Sequence, residues 1–558
     1  GLRYPAFDQF RLYAAYLGLD FPASAMQLEN GHRPILPALV RIAEIQWFGA
    51  NQRPQLVLGV ALVMLTTLLI AATAWRGRSS AASGAAGVLL AVLALTWLGN
   101  ARMLVHGNEL VHAYLVTSCV VVSALVLHAS RFAWSGTGML LAGLLATAAT
   151  FSFGPGIAGF VVVFVTASML RLPPKTYVAP AALFLFSVLA YLMAGGVGMA
   201  GGVGDAMALR PLDNLAVLLR WLASPWFHAW LGFAEPSMLS WTPGDGAIPA
   251  TLSAMARGLA NLLGPDWMRL AGIGIGSVGL LAYGALMWRG WRSRLEPTRL
   301  GVLAMSLATF GLGTGAIICL ARLVYFDQHP MQVMADRYLP WTCLFWLGLV
   351  LGLCERPATA RRWAGDALLP VLALGLAIVL QPSHVALAGW SAAVHRNVQQ
   401  SSVAAQLGIW DGQRFPSEAD ASRADVERTL ALMRQRQLSM FAEPAYGLLS
   451  QGWRAPVGDH PVPPDSRAFG NRDFTDDLSG ARVMSIEGWV TRIEDRPRDA
   501  ALVVVDAAGE IRGLARFSFI GPGKRGFRLN VPAKRGFDGY VLAPRAGEVL
   551  RVLVLDPA

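Results

Sequence analysis

The chain has 558 residues, 54% of them apolar and only 15% charged, with a mean hydropathy of +0.47. These values exclude an ordinary soluble enzyme of this length and point to a multispanning membrane protein. The net charge of +11 is almost wholly arginine, since lysine occurs only at positions 175, 524 and 534; this reads as membrane orientation or contact with phosphate, which guanidinium grips in a fork, and not as nucleic-acid binding.

Residues 1–54 read as a polar, aromatic first loop. Ten stretches then approach the ~20 mostly apolar residues that a bilayer-crossing helix needs: 55–75, 81–98, 110–129, 134–151, 156–170, 177–197, 270–288, 300–320, 338–353 and 367–381. The uncharged run from Phe132 to Leu170 is too long for one crossing, and Phe153-Gly154-Pro155-Gly156 breaks it into a hairpin of two spans. With 1–54 outside, the inner loops hold twelve basic residues: Arg76, Arg78, Arg131, Arg171, Lys175, Arg289, Arg292, Arg294, Arg299, Arg356, Arg361 and Arg362. The short outer loops hold three, Arg102, Arg322 and Arg337. This asymmetry sets the expected orientation. It also makes 198–269 one long outer loop, whose Trp221, Trp226, Trp230 and Trp241 suit helices lying in the headgroup layer.

Beyond Gln381 the composition changes. Residues 382–480 read as an outer helical linker region, with a helix over 421–437 that Asp420 can cap and that repeats Val426, Leu430 and Met433 on one face. From about 481 the period shifts to two. Runs at 483–490, 501–505, 511–519, 527–531, 539–542 and 549–555 predict a small β-sandwich. Lys524-Arg525-Gly526-Phe527 recurs as Lys534-Arg535-Gly536-Phe537. The expected fold is thus an α-helical polytopic membrane protein with a C-terminal extracytoplasmic α+β region. Cys119, Cys319, Cys343 and Cys354 lie in or beside apolar runs without metal-ligand spacing, so no disulfide scaffold or zinc site is expected.

Candidate chemistry concentrates in polar segments at the outer span ends. Glu29-Asn30-Gly31-His32-Arg33 sets an acid, an imidazole and a guanidinium within five positions. Either Glu29 acts as a base while Arg33 holds phosphate, or Glu29 or Asn30 simply caps a short helix. In 99–112, His106 and His112 read as ligands, proton carriers or ordinary interfacial polarity, and Glu109 can pair with Arg102. The loop 322–338 carries Arg322, His329, Asp336 and Arg337. Arg337, at the mouth of a span, either pairs with an acid such as Asp336 or grips a lipid phosphate. In Phe151-Ser152-Phe153-Gly154-Pro155-Gly156 the glycines serve either a sharp reversal or a close approach to the backbone.

The layout resembles the GT-C superfamily of polyprenyl-phosphate-sugar-dependent glycosyltransferases: many spans, a large first outer loop, a second long outer loop and an outer C-terminal domain. Asn30-Gly31-His32-Arg33, Phe151-Ser152-Phe153-Gly154-Pro155-Gly156 and Asp336-Arg337-Tyr338 look like features of bacterial members. The resemblance implies a further span ahead of Gly1, which would bring the total to eleven. It implies an acidic residue in the first loop acting at the acceptor, Glu29 or, as second choice, Asp8. It also implies arginines at the donor phosphate, Arg33, Arg322 and Arg337, with His32, His106 and His329 as substrate-binding candidates. The donor would be a polyprenyl-phosphate sugar and the acceptor a cell-envelope glycan, lipid or protein at the outer face of a bacterial inner membrane, with no metal or other cofactor required. Membrane lipids would surround the spans, and no nucleic acid is expected as a partner. Competing readings are a flippase for a lipid-linked saccharide and a membrane anchor for the outer domain. Few charges in the spans and no visible two-fold repeat weigh against the flippase.

Overall fold

The structure, a computed structural model, describes residues 2–29, 31–191, 208–230, 247–264, 266–292, 297–354, 362–417, 421–452, 467–476, 479–490, 501–520, 535–544, 548 and 550–555. The chain divides into two compact units, one made of Met26–Val40 and Gln55–Trp390, the other of Gly1–Ala25, Arg41–Pro54 and Ser391–Ala558.

The first unit is helical. It contains α2 (Ile35–Phe48, which continues into the other unit), α3 (Arg53–Arg76), α4 (Ala81–Thr96), α5 (Ala101–Val105), α6 (Gly107–Ser130), α7 (Ser135–Thr150), α8 (Ala158–Met169) and α9 (Val178–Tyr191). It continues with α10 (Pro211–Trp230), α11 (Ala247–Leu263), α12 (Trp267–Arg292), α13 (Arg299–Ala321), α14 (Leu323–Gln328), α15 (Leu339–Cys354) and α16 (Arg362–Val379), then the start of α17 (Gln381–Leu407). Each stretch expected to span falls in helix, that of 177–197 as far as Tyr191. Among the described residues five are long and apolar enough to cross a membrane, α3, α4 with its continuation to Val105, α6, α12 and α13, against the ten expected. A sixth forms if Ala367–Val379 and Gln381–Leu407, bent by 42°, count as one.

Lipid offers no hydrophobic drive between helices, so close packing and buried hydroxyls hold them together. Gly348 in α15 lets α13 approach until a methyl there would lie 2.4 Å from the Ala304 carbonyl oxygen. Gly276 in α12 does the same for α10, where a methyl would meet the Leu219 carbonyl at 2.0 Å. Thr66 with Ser118 (2.7 Å) joins α3 to α6, and Thr166 with Ser306 (3.0 Å) joins α8 to α13. The short turn after Arg78 is closed by a reciprocal cap between Ser80 and Ser83 that starts α4.

The long loop expected at 198–269 contains α10, which packs against α12, α13 and α15. Trp221 is not a headgroup anchor: it is fully buried, whereas Trp226 is exposed. An indole close to Gly315, where a methyl would lie 2.6 Å from the ring, fills core space instead. The Trp230 side chain and Trp241 lie outside the described residues.

In the second unit the expected sandwich is one sheet. Strands β1 (Arg467–Thr475), β2 (Arg482–Val490), β3 (Ala501–Val505), β4 (Ile511–Ile520), β5 (Arg535–Leu542) and β6 (Arg551–Leu555) pair antiparallel in the order β1-β2-β5-β4-β3-β6. One face, with Val483, Val503, Val505, Leu514 and Tyr540, shares a core with Phe10, Val403, Val426 and Met433. The layer opposite this face is therefore helical, built from α1 (Gln9–Gly18), the end of α17, α18 (Arg423–Gln435) and α19 (Pro444–Ser450). Alternation along a strand reports that both faces are occupied and does not report by what. The other face carries Ile486, Leu502, Val504, Phe537 and Val541. The sheet begins at Arg467, ahead of the expected boundary, because β1 is polar and glycine-containing. Ser422, and not Asp420, caps α18, its hydroxyl accepting from the Asp425 amide. The expected strand at 527–531 and the first Lys-Arg-Gly-Phe copy lie outside the described residues.

Charged joints fasten this unit. Arg516 pairs with Glu443, which also accepts from the Tyr4 hydroxyl, and Gln406 accepts from Arg516 at 2.9 Å. Burial alone would raise the Glu443 pKa, but the Arg516 guanidinium beside it holds the carboxyl below its usual range. The stability contributed by the ionised form is therefore complete at neutral pH and is lost as pH falls through that lowered pKa. Glu443→Gln should cost about 3 kcal/mol at pH 7. Thermal unfolding followed from pH 7 to 3 should show the wild type converging on the variant below about pH 4; parallel curves would refute this assignment.

Candidate active site in the helical unit

The site is built on the chain segment before α2. Glu29 and His32 form a two-residue bridge, with Glu29 N–H donating to the His32 carbonyl and His32 N–H to that of Glu29, both at 2.9 Å. Gly31 inside it has φ +79°, a left-handed value that glycine adopts without steric cost. Residues paired across such a bridge project to the same side, so the turn presents a carboxylate and an imidazole together. Glu29 does not cap α2. The Leu36 amide at the start of that helix donates instead to the Phe151 carbonyl, 3.1 Å away, in the α7–α8 hairpin.

Phe153 of that hairpin is the hub. Its ring lies 4.6 Å from His32, 5.7 Å from His112 and 6.3 Å from Trp341, nearly parallel to the last two. Gly154 follows because nothing larger fits: a methyl there would sit 2.3 Å from His32 Nδ1. The hairpin glycine thus serves a close approach, by a side chain of this same chain. His112 Nε2 stands 3.8 Å from Glu29 Oε2, and both residues are buried. The expected Arg102–Glu109 pair is present at 3.1 Å, with buried His106 and His112 as electrostatic neighbours of Glu109.

The three candidate phosphate-holding arginines all belong to this unit. Among the described residues none of them pairs with a carboxylate. Arg33 is buried; its Nη1 donates to the Met26 carbonyl (3.0 Å), its backbone amide to the Tyr191 hydroxyl (3.1 Å), and its Nε has no partner. Arg322 ends α13, close enough to His32 for its charge to act on that ring. Arg337 occupies a 3-10 turn, Asp336–Tyr338, with its guanidinium 5.2 Å from the centre of the Tyr338 ring. It does not pair with Asp336. Its Nε and Nη2 and the Tyr338 hydroxyl are buried and make no well-aligned hydrogen bond, the guanidinium having the Tyr338 and Tyr325 side chains as polar neighbours. The turn Leu98–Asn100 and α5 pack against it.

The remaining candidates are placed less centrally. His329 is exposed and lies 4.8 Å from the Tyr325 ring. Asp8 precedes α1 in the other unit, without capping that helix, and so does not share a unit with Glu29. His112, one of the two histidines of 99–112 that read as ligands or proton carriers, enters the site beside Glu29. The rings of Phe153, Tyr338 and Trp341 join it without any chemical role legible in the sequence. Among the described residues no three His, Cys, Asp or Glu side chains converge as metal ligands.

Chemically, the unit offers a buried carboxylate beside imidazoles and an excess of guanidinium over free carboxylate, which suits an anion and a proton acceptor together. No family model, curated protein or solved structure matches the chain.

His32 should be neutral at physiological pH. Burial, then the charges of Arg322 and His112, push its pKa down to about 4 against the opposing pull of Glu29. The unfolded chain therefore takes up a proton between about pH 6.5 and 4 that the folded chain refuses, so stability falls as pH falls through that window. Melting temperatures of wild type and His32→Asn over pH 7.5–4 should show a steeper decline for the wild type. Equal slopes would place the imidazole in a solvated setting.

Proposed function

We propose that the chain is an integral membrane glycosyltransferase that moves a sugar from a polyprenyl-phosphate donor to a cell-envelope acceptor at the outer face of the inner membrane. One observation carries this reading: among the described residues Arg33, Arg322 and Arg337 have no carboxylate partner, and the same unit holds a buried carboxylate, Glu29, 3.8 Å from His112. Buried unsatisfied donors are costly, and an ionic ligand relieves that cost. Phosphate meets the fork geometry of arginine in a way that a sugar hydroxyl alone does not.

In the reaction so assigned, Glu29 takes the proton of an acceptor hydroxyl. The acceptor oxygen forms a bond to the anomeric carbon, and the bond from that carbon to the donor phosphate oxygen breaks, its electron pair leaving with polyprenyl phosphate. Arg337, Arg322 and Arg33 neutralise the charge that develops on the leaving group. A single displacement of this kind inverts the anomeric configuration. Neutral His32 has one nitrogen to accept and one to donate a hydrogen bond to sugar hydroxyls, and buried His106 faces the same chemistry beside Glu109. A groove walled by Leu93, Trp97, Trp226, Trp346, Leu376 and Leu380, among α4, α10, α15 and α16, presents almost only apolar surface and suits a hydrocarbon chain.

The test is transfer of labelled sugar from polyprenyl-phosphate hexoses and pentoses to extracted envelope acceptors by the purified protein. Glu29→Gln should lower kcat by about 10²-fold or more, and Arg337→Ala should lower kcat/KM by about 10²-fold. Wild-type transfer rates in both variants would overturn the residue roles. Absence of transfer from every donor, with lipid movement across reconstituted vesicles, would overturn the enzyme in favour of a flippase.

A further inference from the structure

Four residues on one face of α10 grip the chain on both sides of the Arg337 turn. Arg220, Trp221, Ser224 and His228 recur at helical spacing and are all buried. Arg220 Nη2 donates to the Pro330 carbonyl, and His228 Nε2 lies 2.7 Å from the Met334 carbonyl, so that nitrogen carries the proton and donates. The Trp221 ring lies 6.2 Å from that of Tyr338, and the Ser224 hydroxyl is 3.2 Å from that of Thr342. The contacts therefore fall at 330, 334, 338 and 342, before, within and after the turn.

His228 is the central grip. Burial lowers its pKa, and the nearby Asp336 carboxylate, itself buried, opposes that shift. The imidazole thus lies against the backbone at Met334 and within electrostatic reach of the residue that precedes Arg337. Among the described residues Arg337 has no carboxylate partner, so the backbone of its turn, with the Tyr338 and Tyr325 side chains beside it, decides where the guanidinium stands. That backbone is anchored by α10 from the long loop as well as by the adjoining 3-10 turns and α15.

We propose that His228 is a positioning residue, and α10 a strap, that hold the Asp336–Tyr338 turn so that Arg337 and the Tyr338 hydroxyl face one phosphate group; this rests on the phosphate-holding role proposed above for Arg337. The long loop then acts on donor binding without contacting the donor through His228. A loss at His228 should appear first in phosphate affinity and in the order of the turn, with the fold of the helical unit kept.

Two readouts on the full-length protein in detergent test this. Hydrogen–deuterium exchange, read without ligand, reports the amides of Gln332, Ala335 and Tyr338, which close the turns through the carbonyls of His329, Gln332 and Ala335. Binding of farnesyl phosphate, a short prenyl monophosphate, reports affinity. His228→Leu should speed exchange at these amides about tenfold and raise the Kd for farnesyl phosphate about tenfold, whereas His228→Gln, which keeps an N–H donor near the Nε2 position, should recover most of both. If His228→Leu does not fold, Ser224→Ala should give the same changes at about threefold. Unchanged exchange in the variant that folds overturns the strap. Faster exchange with unchanged Kd, while Arg337→Ala weakens binding, overturns the link from strap to phosphate. Unchanged Kd in Arg337→Ala overturns the phosphate role of Arg337 itself, and the exchange result then stands separately as the measure of the strap.

Discussion

Buried guanidinium without carboxylate is the constraint around which the helical unit is arranged. Arg33 and Arg337 bury nitrogens that make no well-aligned hydrogen bond, and among the described residues neither they nor Arg322, near His32, has a carboxylate partner. In a low-dielectric surround such groups cost free energy unless something answers them. Other arginines do meet carboxylates: Arg102 pairs with Glu109, Arg516 with Glu443, and Arg396 with both Asp538 and Glu487.

Placement of that charge depends on close backbone contacts more than on the charged residues themselves. Gly154 admits His32 against Phe153, and the Phe151 carbonyl receives the start of α2, so one hairpin sets both the imidazole and the helix that follows it. Phe153 then ties His32, His112 and Trp341 into one stack drawn from three separate parts of the sequence. Gly276 likewise lets α12 approach α10, and Gly348 lets α15, which follows the Arg337 turn, approach α13. Small residues at these points serve position, because interhelical order in lipid comes from packing and not from hydrophobic exclusion.

The second unit follows different rules. Its sheet buries one face under helices drawn from both ends of the chain, and ion pairs at the joints fix the pieces: Tyr4 and Glu443 with Arg516 for the N-terminal segment, Arg396 with Asp538 for the end of α17, and Asp411 with Arg472 and Tyr540 for the loop beyond it. Such pairs are specific in geometry even where their net stabilisation is small. They explain how a segment that reads as loop in 1–25 becomes part of a core through Phe10, Tyr13 and Leu17.

Local composition and period were enough to place apolar helices in the first two thirds of the chain, five or six of them among the described residues capable of crossing a membrane, to break a hairpin at Phe153-Gly154-Pro155-Gly156, and to set strands after residue 481. Chain-local pairing was legible as well, as with Arg102 and Glu109. Only the tertiary structure decided that the sheet has a helical layer where a second sheet was expected, that polar β1 joins it, that Trp221 is core, that Asp8 and Glu29 belong to different units, and that His112 and Phe153 complete the site around Glu29 and His32. Those outcomes join residues far apart in the chain, and their partners are chosen by shape and by the cost of unsatisfied buried charge, neither of which leaves a periodic trace in the sequence.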